Sequence, residues 1–285
     1  MLINRQVEFI PGEPVPVLGQ GTWYMGENAA HRKQEVYALQ LGLDLGLPLI
    51  DTAEMYAEGG AEQVVGEAIR GRRDQVFLVS KVYPHHAAGA KMKQACERSL
   101  KRLGTDYMDL YLLHWRGDIP LAETVAALEE LRQSGKIRSW GVSNFDTADM
   151  EELWSLPDGE RCAANQVLYH AASRGIEVDL LPWARRHQVP TMAYCPLAQG
   201  GQLRRELLTH PVIRRIAEER SVTPAQIALA WVIREDGIVA IPKAVQPQHV
   251  KDNAAAANIR LTAQELDDIN KVFPAPPGKV PLDIV

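Results

Sequence analysis

Cysteine is scarce in this sequence. Only Cys96, Cys162 and Cys195 occur, an odd number at wide spacings. That excludes a paired disulfide framework, and no Cys-x-x-Cys pair offers zinc thiolates. A reducing, cytoplasmic setting is expected. No uncharged apolar run approaches the roughly 20 residues of a membrane span. The start, Met1 to Glu8, has no apolar core behind a basic segment, so no secretory signal is expected. Positive charge is not in excess either. Lys and Arg number 31 against 36 Asp and Glu, a net charge of −5, which argues against nucleic-acid or anionic-membrane partners. Internal repeats, low-complexity stretches and dividing linkers are also missing. What is present is an average globular composition, 46% hydrophobic and 24% charged over 285 residues. One domain, residues 1–285, is expected, and a monomer, because no hydrophobic surface stripe stands out.

Short apolar runs alternate with longer helical patterns. Strands are expected at Pro16–Gly21, Leu47–Asp51, Val76–Lys81, Met108–His114, Arg138–Asn144, Ala163–Val167, Pro190–Tyr194 and Ile238–Lys243, after an edge hairpin around Val7–Phe9. In Leu121–Ser134, the residues Leu121, Val125, Leu128 and Leu131 share one helix face. Thr223-Pro224-Ala225-Gln226 and Thr262-Ala263-Gln264-Glu265 read as capped helix starts, and Gly237 is placed to stop the first of these helices. Eight strand–helix units with buried rather than alternating strands predict an α/β fold. The expected form is a (β/α)8 TIM barrel with an N-terminal β-hairpin and an additional C-terminal helix. An open doubly wound sheet is the alternative.

In such a barrel the chemistry sits at the C-terminal ends of the strands. Those ends carry, in order, Gly21-Thr22-Trp23, Asp51 with Tyr56 following, Lys81, His114-Trp115, Ser143-Asn144, Gln166, Tyr194 and Lys243. Each residue has a bland reading alone: a turn cap for Asp51, a solvated loop lysine for Lys81, a core histidine for His114. Convergence of all of them on one rim points to catalysis. Reducing a carbonyl requires a hydride donor and an acid for the emerging alkoxide. Tyr56 is the candidate acid. Lys81 is expected to lower its pKa, with Asp51 holding Lys81 in place. His114 can hydrogen-bond the carbonyl oxygen and orient it.

Asp51-Thr-Ala-Glu-Met-Tyr56, Val79-Ser-Lys81, Leu112-Leu-His114-Trp115, the run Gly135 to Phe145, and Ile241-Pro-Lys243 together resemble the aldo-keto reductase superfamily, in order from about Val17 to about Asn253. The nearest likeness is to bacterial members that reduce methylglyoxal. The resemblance implies NADPH as cofactor, with NADH tolerated, and a small carbonyl as substrate. It implies that Ser143, Asn144 and Gln166 bind the nicotinamide carboxamide and that Tyr194 stacks on its ring. Gly21, Thr22 and Trp23 would line the nicotinamide side, and Cys195, Pro196 and Leu197 the pyrophosphate. Lys243, His249 and Asn253 would hold the adenosine end, and Trp23 and Trp115 would narrow the substrate entrance. Cys195 stands where a serine is usual, and His249 where many members carry an arginine, so a reduced preference for NADPH is expected. The tail after Asn270 is short, so an open pocket is expected.

Other signals are weaker. Gly19-Gln-Gly21 lacks the remaining glycines of a dinucleotide fingerprint, and Gly141-Val-Ser143-Asn-Phe145 lacks the final glycine of a nucleophile elbow. His85-His86 has no matched acid spacing, so no metal site is expected. Gly200-Gly201 reads as a flap over the cofactor or as an ordinary turn. Two rival functions are a Schiff-base aldolase using Lys81 and a non-catalytic, cofactor-sensing barrel.

Overall fold

The computed structural model describes residues 5–285. The signal-peptide reading rests partly on residues 1–4, which lie outside the described residues. The chain opens with an antiparallel hairpin, β1 (Gln6–Ile10) and β2 (Glu13–Pro16). Eight parallel strands follow: β3 (Gln20–Gly21), β4 (Leu49–Asp51), β5 (Phe77–Val82), β6 (Met108–Leu113), β7 (Ile137–Ser143), β8 (Asn165–Leu168), β9 (Thr191–Tyr194) and β10 (Ile238–Ala240). Each pairs with the next in sequence. The ring is completed where Gly19 N donates to Ala240 O at 2.9 Å and Ala240 N to Val17 O at 2.9 Å. The expected barrel is therefore formed. An extra helix, Ala263–Val272, follows the eighth unit.

Strand ends differ from the expectation for identifiable reasons. Pro16 belongs to β2, where it pairs with Gln6, and only Gln20–Gly21 of the expected first barrel strand lies in the ladder. Prolines 14 and 16 sit on an edge hairpin strand, where a missing N–H costs no central ladder bond. The last strand stops at Ala240 rather than Lys243, because Pro242 has no N–H to continue the ladder. Its carbonyl instead accepts from Gly21 N at 3.1 Å. Gly21 is tightly confined at this seam: a Cβ there would lie 2.6 Å from the Ile241 carbonyl oxygen.

The helices wrap the outside. Leu121–Gln133 buries Leu121, Val125, Leu128 and Leu131, the face expected from their spacing. Thr223 with Gln226 and Thr262 with Glu265 form reciprocal capping boxes. The helix begun at Pro224 ends at Val232, well before Gly237. There Arg234 Nη1 takes the Trp231 carbonyl at 2.9 Å, and Gly237, at φ 79°, serves the turn into β10 instead. Gly200 and Gly201 are the turn that starts the helix Gly201–Thr209. Among the described residues no helix is long and apolar enough to cross a membrane. Among the described residues no group of three or more His, Cys, Asp or Glu could hold a metal ion.

The tail departs from expectation. After Val272 it folds back across the barrel mouth, with Lys279 paired to Asp179 at 3.0 Å and Ser173 bonded to Asp283 at 2.5 Å. Val285 thereby lines the central cavity. A short tail need not leave the pocket open when a few polar anchors pin it over the rim.

Candidate active site

The cavity at the C-terminal ends of the strands encloses about 1020 Å³, counting its open mouth. Asp51 closes β4 and Lys81 lies near the end of β5, so their side chains meet inside the barrel wall. Lys81 is fully buried, and its three ammonium hydrogens have three acceptors: Asp51 Oδ2 at 2.7 Å, the Thr52 carbonyl at 2.9 Å and the Tyr56 hydroxyl at 3.0 Å. The other Asp51 oxygen accepts from Gln166 Nε2 at 2.7 Å. A buried ammonium and carboxylate are tolerated here because each is bonded on every side. Burial pushes Asp51 up and Lys81 down, and their mutual attraction opposes both shifts.

Tyr56 starts a short turn in which Ala57 and Glu58 both hold φ 51°. Such left-handed residues are strained, and they keep the tyrosine at the strand end rather than out on a loop. The phenol is 8% exposed and lines the cavity. Its pKa is pushed well above the ordinary value, first by burial and then by the Asp51 charge. The net direction is thus upward rather than the expected downward one, because the Lys81 charge is outweighed. The Lys81 charge is cancelled at contact distance by Asp51, so desolvation of the phenolate dominates. Tyr56 is accordingly a neutral phenol that accepts from Lys81, which leaves its own O–H proton for another acceptor.

His114 follows β6, its ring edge-on to Tyr56 at 5.7 Å between centroids. Burial, and then the nearby Lys81 charge, pull its pKa down to about 2. It is a neutral imidazole throughout the working range. Its buried Nδ1 has no partner among the described residues.

The remaining expected residues separate into two groups. Gly21, Thr22, Trp23, Ser143, Asn144, Gln166, Tyr194, Cys195, Pro196, Leu197 and Lys243 line the same cavity as Asp51, Tyr56 and His114. Asn144, at φ 58°, is tied by Nδ2 to the His114 carbonyl at 3.2 Å, and it receives the Tyr194 hydroxyl at 2.8 Å. Cys195 also has positive φ, 47°, and its burial raises the thiol to about 11 against the opposing charge of Arg204. His249 and Asn253 lie outside the lining, on the helix Pro247–Ala256, with His249 exposed and Asn253 buried. Trp115 is outside it too, packed on His114 and Tyr83. The histidine pair beside it is structural in its contacts: His86 Nδ1 meets Glu54 Oε1 at 2.9 Å.

Sequence reasoning missed Tyr24, Met55, Arg204 and Val285, all of which line the cavity. Tyr24 stacks on Trp23 at 4.6 Å and supplies the aromatic wall expected of Trp115. Its adjacency to Trp23 was a usable signal. Arg204 and Val285 arrive from a helix and from the tail, and no local pattern marks them.

A nicotinamide dinucleotide fits these residues. Amide and hydroxyl groups of Ser143, Asn144 and Gln166 cluster on one wall beside the Tyr194 ring, and no partner within the described protein occupies Gln166 Oε1. Lys243 and Arg204 bring positive charge, while Asp51, the one Asp or Glu among the described lining residues, is already paired.

Comparisons with known proteins agree with this arrangement. Residues 17–273 match the Aldo/keto reductase family, and the chain belongs to that family. It is 58% identical over 282 residues to methylglyoxal reductase YeaE of Escherichia coli, covering 99% of each chain. A crystal structure of an aldo/keto reductase from Klebsiella pneumoniae in complex with NADP and acetate superposes with a TM-score of 0.97, at 61% identity and 99% coverage of both chains. A second Klebsiella pneumoniae structure, in complex with NADPH, has a TM-score of 0.97 at 60% identity and covers 100% of each chain.

Proposed function

We infer that this chain reduces small aldehydes and ketones to alcohols with NADPH, and that 2-oxoaldehydes such as methylglyoxal are preferred substrates. The observation that carries the reading is the direction of the hydrogen bond between Lys81 and Tyr56. Because the phenol oxygen accepts, its proton is left for the carbonyl oxygen of a bound substrate. Bound NADPH supplies the hydride. Tyr56 gives its proton to the developing alkoxide. Lys81 then stabilises the phenolate left behind, and Asp51 holds Lys81 in position. His114, always neutral, donates to the substrate oxygen and orients it without competing as an acid.

Ser143, Asn144 and Gln166 are read as carboxamide ligands, and Tyr194 as the surface under the nicotinamide. Lys243 is read as a counter-charge to the 2′-phosphate, with His249 and Asn253 near the adenosine end. The aromatic wall of Trp23 and Tyr24 beside Tyr56 suits a compact, unbranched carbonyl. The relative named methylglyoxal reductase supports that choice. The aldolase reading is disfavoured, because a lysine with all three hydrogens engaged offers no free lone pair. The reading includes one domain and a monomer in a reducing cytoplasm, the latter supported by three unpaired cysteines.

The test is a panel of carbonyls assayed with each reduced cofactor. Methylglyoxal and other small aldehydes should outperform bulky ketones, and NADPH should outperform NADH. A panel in which bulky steroids outcompete every small aldehyde would contradict the substrate class.

A further inference from the structure

Arginine is almost always neutralised in this molecule unless it is fully in water. Every buried or half-buried arginine among the described residues has a carboxylate within 4 Å except one. Arg5, Arg32, Arg72, Arg73, Arg102, Arg116, Arg132, Arg174, Arg220 and Arg234 are all paired. The exception is Arg204, half-buried on the helix Gly201–Thr209 and lining the central cavity. It makes no side-chain hydrogen bond to another described residue. A guanidinium partly withdrawn from water and left without an anion loses solvation that nothing in the protein restores.

Its surroundings say which anion fits. The cavity has two formal cations in its lining, Arg204 and Lys243, and the one Asp or Glu among its lining residues, Asp51, is already paired. It can therefore take two separate anionic groups. Arg204 stands close enough to Cys195 for its charge to act on the thiol. Cys195 opens a turn, Cys195–Ala198, in which Cys195 and Ala198 both have positive φ and the Ala198 N–H is spent on the Cys195 carbonyl at 2.9 Å. A backbone N–H used in this way is not free for a phosphate, and Pro196 in the same turn has none to offer.

We propose that Arg204 is a cofactor-binding residue that neutralises the pyrophosphate of the dinucleotide, while Lys243 serves the distant 2′-phosphate. The proposal rests on the dinucleotide reading above. Arginine suits the role because its planar fork can meet two phosphate oxygens at once. Since NADPH and NADH share the pyrophosphate, Arg204 contributes equally to both and sets no preference between them.

The test measures dissociation constants of NADPH and NADH by fluorescence quenching in the full chain, for wild type, Arg204→Met and Arg204→Lys. Thermal melting of each variant checks its fold. Arg204→Met should weaken both cofactors by a similar factor of about 10, the lower end for a charge-assisted hydrogen bond. Arg204→Lys should recover part of the loss in both. At saturating cofactor, KM for methylglyoxal should move less than about 2-fold. Unchanged dissociation constants would overturn the proposal, as would a loss confined to NADPH, which would put Arg204 on the 2′-phosphate. A loss seen only in KM for a carboxylate-bearing carbonyl would overturn it too, assigning Arg204 to substrate. A wild type that binds neither nucleotide would instead sink the dinucleotide reading itself.

Discussion

The two ends of the barrel treat buried charge in opposite ways. At the base, Asp109 near the start of β6 is 3% exposed and fully surrounded. It accepts from Arg73 at 2.7 Å, Arg138 at 3.1 Å and the Leu78 N–H at 2.8 Å. The β1–β2 hairpin closes this end, with Phe9 packed on Phe77 at 5.5 Å and Glu13 paired to Arg138. No buried side-chain polar atom of this network is without a partner. At the mouth, Lys81 and Asp51 are equally well bonded, but the groups around them are not. Tyr56 keeps a proton to give, and among the described residues His114 Nδ1 has no partner and Arg204 no counter-ion. Saturated polar networks hold a fold, whereas unsaturated ones at a cavity hold a ligand.

That contrast can be broken from either end. The largest effect is expected at the mouth. Tyr56→Phe removes the general acid and should lower turnover by about 10²–10⁴-fold. Cofactor affinity should stay within a few-fold and the melting temperature close to wild type. A variant keeping more than about a tenth of wild-type turnover, with chemistry rate-limiting, contradicts the assignment.

Asp109→Ala is the counterpart at the base. Removing one member of a buried charge network typically costs about 3–5 kcal/mol. Urea unfolding should show that loss, while kcat per folded molecule stays near wild type. A stable variant with poor turnover would mean that the two ends are not separable.

Lys243 is exposed, so its effect should be smaller. Lys243→Met should weaken NADPH by about 10-fold and barely touch NADH. Equal losses for both cofactors would remove Lys243 from the 2′-phosphate.

The pH profile sharpens the account further. Tyr56 titrates well above its ordinary range and His114 near 2. The acid form of Tyr56 is present below its raised pKa and is lost only as pH rises through it, and His114 stays neutral well below neutrality. Reduction measured by kcat should therefore be flat from about pH 6 to 9, spanning the reference histidine pKa. A bell centred near neutrality would show that one of these groups titrates there.

The smallest effect belongs to a pair far from both ends. Arg220 holds Glu265 down to about 2, chiefly through its hydrogen bond. A depressed carboxylate stabilises the fold above its unfolded pKa, and that contribution is lost as pH falls toward 2. Solvent screening limits the pair to about 1 kcal/mol. Glu265→Gln should be slightly less stable than wild type at neutral pH, and the gap in urea midpoints should close in acid.

Much of the barrel was legible because its strands are short apolar runs ending in unusual polar residues. Asp51, Lys81 and His114 could be placed from that pattern alone, and the Thr223 and Thr262 boxes set two helix starts. The direction of the Tyr56 shift was not legible. It depends on Asp51 and Tyr56 reaching Lys81 together inside the wall, which no linear spacing encodes. Arg204 and Val285 reach the cavity through a helix packing angle and a folded-back tail. Pro242 was the readable sign that β10 stops early. Trp115 shows the converse: a place beside His114 at the strand end did not bring its side chain into the cavity lining.

The central claim is that the mouth delivers hydride and proton to one carbonyl, and it can be measured in a single product analysis. Methylglyoxal is incubated with NADPH carrying deuterium at the transferring position, and the alcohol is examined by mass spectrometry. The account predicts one deuterium per alcohol formed, bound to carbon, in step with NADPH consumed, and almost none formed by Tyr56→Phe over the same time. No consumption of NADPH by the wild type, or equal labelled product from Tyr56→Phe, would contradict it.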